Sequence, residues 1–199
     1  MDRIRRGIGD RHGPRGGARL VAGARLSAAI SGPLQIKITA NDGRARAGLI
    51  STARGEPPTP VFMPVGTRAA VKTLDTADLE RLGSPIVLGN TYHLMERPGA
   101  ELIERHGGLH RFMDWSGHML TDSGGYQIFS LEPKITEDGA TFRSVYDGSA
   151  VHLTPERSVA VQEQLGADIA MVLDVCPPLP SPVEVQVAAV ERTLRWAVR

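Results

Sequence analysis

From residue 61 onward, short apolar runs alternate with stretches of helical period, and this order constrains the fold more than any other feature. The runs are Val61-Phe-Met-Pro-Val65, Ile86-Val-Leu88, Met119-Leu120 and Ile169-Ala-Met-Val-Leu173. Between them, residues 75–82, 99–106 and 154–165 read as helices, and Pro182 opens a last one. Thr154-Pro-Glu156 starts its helix with a capping hydroxyl, a proline in the first turn and an acid. Continuous apolar runs suit parallel strands covered on both faces. The βαβα order predicts an α/β architecture.

Three of the runs lead into chemically able residues: Asn90, Asp122 and Asp174. In parallel α/β barrels the active site gathers at the carboxyl ends of the strands. Asp122 and Asp174 would then face one mouth from neighbouring strands. The richest stretch is Thr121-Asp-Ser-Gly-Gly-Tyr-Gln127. Its glycines let the backbone take positive φ and approach a ligand. Asp122 can take or give a proton, and Tyr126 can stack on a planar ring. Taken alone, the same residues also read as a Gly-Gly turn beside a core tyrosine.

Ahead of this region, Leu34-Gln-Ile-Lys-Ile-Thr39 alternates as a half-buried strand does, and Asn41-Asp-Gly43 signals a hairpin returning through residues 45–51. Residues 1–33 differ from the rest. They hold seven Arg, seven Gly and two acids, a balance of +5 that leaves −4 on residues 34–199. With no sustained period they are expected to be a disordered extension. An Arg-rich transit peptide, an RNA-attracting arm and a start placed too far upstream all fit that composition. The net charge of +1 does not announce a nucleic-acid binder. A single cysteine, Cys176, excludes a disulfide framework and fits a reducing, cytoplasmic setting. No apolar run approaches the roughly 20 residues of a membrane span.

Several stretches together resemble the tRNA-guanine transglycosylases, also called queuine tRNA-ribosyltransferases. They are Val61-Phe-Met-Pro-Val-Gly-Thr67, Leu88-Gly-Asn-Thr-Tyr-His-Leu94, Arg97-Pro-Gly99, Gly107-Gly-Leu-His110, Thr121-Asp-Ser-Gly-Gly-Tyr-Gln127 and Leu165-Gly-Ala-Asp-Ile169, in order across residues 34–199. The resemblance implies a TIM (β/α)8 barrel preceded by a small antiparallel sheet, which agrees with the hairpin above. It implies an exchange of guanine in the tRNA anticodon loop for a deazaguanine base, by double displacement at ribose C1′ as in a retaining glycosidase. By position, Asp122 resembles the acid/base residue of that family. Ser123, Gly124 and Gly125 would form the pocket floor, and Tyr126 would stack on the base. Asp174 would accept N–H bonds from the guanine edge, as an ionised carboxylate can. Cys176 would lie beside the same pocket. His93 can touch the ligand or RNA but is read as structural, as are Gly107-Gly-Leu-His110 and Trp115; Arg97 and Arg105 can meet phosphate but are read as solvated surface charges.

The family also implies a nucleophilic Asp on a later strand and a three-Cys, one-His zinc site. Neither occurs here, since the only acids after Asp174 are Glu184 and Glu191, and one cysteine cannot supply three thiolates. About four barrel strands are readable, half of eight. The expectation is therefore the first half of an incomplete barrel: an inactive fragment of a cytoplasmic enzyme that is a homodimer at full length. The alternatives are a non-catalytic RNA-binding partner subunit, and a barrel hydrolase using Asp122 and Asp174. Which deazaguanine base is used stays open.

Overall fold

Residues 34–199 are described in the structure, a computed structural model; the expectation for residues 1–33 lies outside the described residues. The first element is the anticipated hairpin. Strands β1 (Gln35–Asp42) and β2 (Ala45–Ser51) pair antiparallel, with Asp42 opposite Ala45 and a bulge between Ile38 and Ala40. Gly43 takes φ 55° in the turn, a conformation that costs glycine little. A short β3 (Pro58–Thr59) adds to β2.

Next come β4 (Val65–Gly66), α1 (Thr76–Arg81), β5 (Ile86–Gly89) and α2 (Thr91–Leu94). A wide turn over Met95–Gly99 leads to α3 (Ala100–Arg105), α4 (Gly108–Met113), β6 (His118–Thr121) and α5 (Gly125–Phe129). An antiparallel insertion follows, β7 (Lys134–Ile135), β8 (Ala140–Arg143) and β9 (Ala150–Leu153). The chain closes with α6 (Pro155–Leu165), β10 (Ile169–Ala170) and α7 (Val183–Ala197). Strands β4, β5, β6 and β10 form one sheet in that spatial order, and every neighbouring pair is parallel. Each βα step thus adds a strand on the same side. The architecture is mixed α/β, with one parallel sheet and two antiparallel ones.

Local chemistry sets the helix ends. Asp75 accepts from the Asp78 amide at 2.7 Å while the Asp78 carboxylate accepts from the Asp75 amide at 3.1 Å, a reciprocal cap on α1. Thr154 accepts from the Arg157 amide at 3.1 Å, and Gly166 ends α6 at φ 71°. The helical run from Thr91 breaks at Arg97, which is extended at φ −151°, ψ 121° because Pro98 follows. One core cluster joins Val87 and Met119 of the sheet to Leu79, Ile103, Leu109, Val161 and Leu165 of the helices. A second gathers Tyr92, Ile128, Phe142, Leu153, Leu173 and Trp196 around the antiparallel insertion.

Two apolar runs do not become the buried strands they predict. Only Val65–Gly66 pairs from the first run, and Phe62 is 82% exposed. Pro64 has no N–H for a ladder there. In the second, only Ile169–Ala170 pairs, and Met171 and Val172 are about half exposed at 45% and 47%. Among the described residues β6 covers one edge of β10 and nothing pairs with the other.

Candidate active site

Parallel pairing brings the ends of β5, β6 and β10 to one edge of the sheet. Asn90 follows β5 directly, Asp122 follows β6 directly, and Asp174 lies four residues beyond Ala170. The two aspartates therefore share that edge.

Asp122 is gripped on all sides. Its Oδ1 accepts from the Thr91 amide at 2.8 Å and the Gly124 amide at 3.2 Å. Its Oδ2 accepts from Gln127 Nε2 at 2.9 Å and from Asn90 Nδ2. All four partners are donors, and an ionised carboxylate only accepts. The Asp122 amide donates to Gly89 O at 3.1 Å, and Thr91 Oγ1 donates to Asp122 O. Gly124, at φ 84°, makes the turn that returns its amide to the side chain two residues earlier.

Asp174 is held more lightly. Ser123 Oγ donates to its Oδ1 at 2.9 Å, and Cys176 Sγ–H donates to its Oδ2 at 3.1 Å. Ser123 Oγ also accepts from the Gly125 amide at 3.1 Å, so one hydroxyl links the two halves of the edge. Gly125 has no room for a side chain: a Cβ there would lie 2.3 Å from Asp174 Oδ1 and 2.8 Å from Asp174 O. Burial, then the Asp174 hydrogen bond and charge, push the Cys176 thiol up to about 12. It stays a neutral donor. Tyr126 follows Gly125 on α5, with 74% of its surface exposed.

Residues that the sequence did not single out position these acids. Buried Gln162 of α6 accepts from Thr121 Oγ1 at 2.8 Å and from the Met171 amide at 2.9 Å, and donates to Met171 O at 2.8 Å. It takes the place of a strand partner on the side of β10 where, among the described residues, none pairs, and so aims the segment that carries Asp174. Its spacing from Ser158 and Leu165 on one helix face is the signal that points to it along the chain. Ser158 Oγ donates to Ser123 O at 2.9 Å, and Thr193 Oγ1 accepts from the Val175 amide at 3.0 Å, so α6 and α7 both brace the edge. Thr91 and Gln127 sit inside the matching motifs with no role of their own, yet both hold Asp122 directly.

The residues read as structural, and the two surface arginines, make the following contacts. Gly107 precedes α4 at φ 89°, His110 Nε2 lies 3.0 Å from Asp168 Oδ2, and Trp115 is buried with its Nε1 donating to His118 O at 3.0 Å. His93 is half-buried, with Nδ1 2.9 Å from Tyr146 Oη. Its burial, and next the Arg68 charge, lower its pKa, while Asp122 opposes them. Arg105 is exposed, and Arg97 sits over the Tyr146 ring. A mostly apolar cleft of about 660 Å³, lined by Phe129, Val175, Cys176, Val185 and Ala189, opens on the α7 side of Asp174. Its walls do not match the polar edge of a purine.

Among the described residues no three His, Cys, Asp or Glu side chains come together to hold a metal. The zinc implied by the resemblance finds no ligand set in this part of the chain. No helix among the described residues is long and apolar enough to cross a membrane.

Residues 41–199 match the family model described as Queuine tRNA-ribosyltransferase. The chain is 56% identical over 161 residues to the queuine tRNA-ribosyltransferase of Herpetosiphon aurantiacus, covering 80% of this chain and 41% of that protein. It is 53% identical over 169 residues to that of Fusobacterium nucleatum, covering 84% of this chain and 45% of the relative. For that of Thermus thermophilus the identity is 53% over 169 residues, covering 84% and 44%. The chain thus spans less than half the length of the curated relatives it matches. A match over most of this chain, at more than half identity, means that it belongs to the queuine tRNA-ribosyltransferase family.

Proposed function

We propose that residues 34–199 supply the base-recognition and proton-transfer half of a tRNA-guanine transglycosylase, which exchanges an anticodon guanine for queuine or its deazaguanine precursor. The observation that carries this reading is the carboxylate of Asp174, held among the described residues by two donors beside a side-chain-free Gly125, with the exposed Tyr126 ring next along the chain. A guanine edge offers adjacent N–H donors, which such a carboxylate accepts. The tyrosine ring covers one face of the base. Gly125, with no side chain, lets the Asp174 carboxylate lie close against the backbone that leads to the ring.

The exchange runs in two displacements. A carboxylate attacks ribose C1′, the C1′–N9 bond breaks, and the departing guanine takes up a proton. The incoming base then loses its N9 proton and attacks C1′, releasing the carboxylate. Asp122, protonated before the first step, gives its proton to the departing guanine and takes one back from the incoming base in the second. To do so it leaves the Thr91 and Gly124 amides and turns toward the base. The attacking carboxylate comes from sequence outside these residues, because Glu184 and Glu191 lie exposed on α7. In this reading the four parallel strands are the first half of a TIM (β/α)8 barrel. The zinc site and the homodimer contacts belong to the remainder, the partner is the tRNA anticodon loop, and the setting is cytoplasmic.

The intact Asp122-Ser-Gly-Gly-Tyr126 motif disfavours a non-catalytic partner subunit, which has no need of a proton carrier. The test is incorporation of labelled guanine into tRNA. The 199-residue polypeptide alone shows none, and the remainder of the barrel supplied in trans restores it. Restored exchange that survives Asp122→Ala, or exchange by the polypeptide alone, refutes the assignment.

A further inference from the structure

Beyond the base pocket, one cluster of side chains serves no part of the chemistry above. Arg68 follows β4, Arg97 breaks the helix after β5, and Tyr146 lies between β8 and β9. Both guanidiniums lie against the Tyr146 ring, at 5.4 Å for Arg68 and 5.0 Å for Arg97 from its centroid. Both arginines are exposed. Among the described residues neither makes an ion pair. Asp147 is held by the Ser149 amide at 3.0 Å and feels the Arg97 charge only as a minor influence.

The ring they share is fixed. Tyr146 Oη lies 2.9 Å from His93 Nδ1, and the Tyr146 amide donates to Ser144 Oγ at 3.1 Å. Next to it, the Val145 amide donates to Tyr92 Oη at 3.0 Å, and Tyr92 is buried edge-on against Phe142. His93 lies two residues beyond Thr91, whose amide holds Asp122, so the cluster borders the proposed proton carrier. Two cations converge on one rigid aromatic, although residues 34–199 as a whole carry a net −4.

We propose that Arg68 and Arg97, both set against the Tyr146 ring, grip a backbone phosphate of the single-stranded RNA loop next to the nucleotide whose base enters the site. Guanidinium groups bind phosphate oxygens through paired N–H donors. Phosphate contacts fix the register of a strand without reading its sequence, which is what a base-exchange site needs from its rim. The ring partly offsets the repulsion between the two cations. This inference rests on the transglycosylase reading for the identity of the strand. Its evidence, the two arginines and their ring, is independent of the aspartates.

The test uses the full-length protein carrying this sequence, with an anticodon stem-loop RNA and free guanine as separate ligands. In Arg68→Ala/Arg97→Ala, RNA affinity falls at least tenfold at low salt. The slope of log K against log salt becomes shallower by about 0.7 for each phosphate left without its guanidinium. Free guanine, which has no phosphate, binds the variant and the parent alike. Arg68→Lys/Arg97→Lys keeps the slope, which guards against a folding defect in the alanine pair. Unchanged RNA affinity and slope overturn the proposal, as does a change of oligomeric state without change in RNA binding, which would assign the cluster to a protein contact. Failure of the parent to bind guanine, with the RNA effect intact, instead refutes the base-pocket reading.

Discussion

The two aspartates at the sheet edge sit in opposite kinds of surroundings. Asp122 is saturated by four donors from its own chain, while Asp174 is touched by one hydroxyl and one thiol. The scaffolds differ as well. Asp122 follows β6, which is paired on both sides, whereas Asp174 follows β10, which among the described residues is paired on one. The contrast separates two jobs. A carboxylate whose acceptors are filled holds the protein together until something displaces its partners. A carboxylate with lone pairs left over is ready to meet a ligand at once.

The sharpest way to break this comparison is to fill the space that Asp174 faces. Gly125→Ala puts a methyl group into contact with the Asp174 carboxylate and carbonyl, so on the proposed reading guanine binding is lost, and stability falls by about 1–3 kcal/mol. Calorimetric titration and urea unfolding report the two effects. Wild-type guanine affinity in that variant would mean the base lies elsewhere. Next in size, Asp174→Asn and Asp122→Ala should fail in different ways. The first presents an amide donor to donors on the guanine edge and weakens binding roughly 10- to 100-fold with little change in stability. The second strands buried donors and costs about 1–3 kcal/mol in unfolding. If the two variants lose stability equally, the division of labour is wrong.

A smaller effect sharpens the Asp174 side. Its bond and charge help to hold the Cys176 thiol protonated. Asp174→Asn lowers the thiol pKa, so iodoacetamide alkylation in mildly alkaline buffer speeds up relative to the parent. An unchanged rate would mean that burial alone protects the thiol.

The smallest effect concerns what braces that side. Glu137 is paired first with Arg195 and then Arg192, and Glu156 with Arg199; both carboxyls are lowered to about 2. Their folded pKa values lie below the unfolded ones, so the stability they lend is complete above about 4.5 and lost as pH falls toward about 2. These pairs tie α7 to the insertion and to α6, and they are exposed and screened by salt. Acid should therefore loosen the Val175 amide before the Thr91 amide, by a modest margin in hydrogen exchange. The reverse order would mean that α7 does not brace Asp174.

Much of this molecule is written locally. Thr154 and Asp75 cap their helices through residues three positions away, and the hairpin turn at Gly43 needs only its own backbone freedom. The parallel strands at residues 86–89 and 118–121 follow from apolar runs covered on both faces. The runs at residues 61–65 and 169–173 misled for one reason. An apolar run records which residues avoid water, but a ladder also needs a donor at each position and a neighbour on each side.

The sequence by itself determined the order of elements, the helix ends, the family and the short stretch that carries the chemistry, because each rests on neighbours within a few positions. Only the tertiary structure decided that Asp122 is bound by Thr91 and Asn90, 31 and 32 residues away, and that Gln162 holds the Met171 backbone just beyond β10. The meeting of Arg68 and Arg97 on the ring of Tyr146 was likewise invisible along the chain. Hydrogen-bond partners across a sheet are set by strand register and by which helix lies behind it, and neither is encoded within reach of a local pattern.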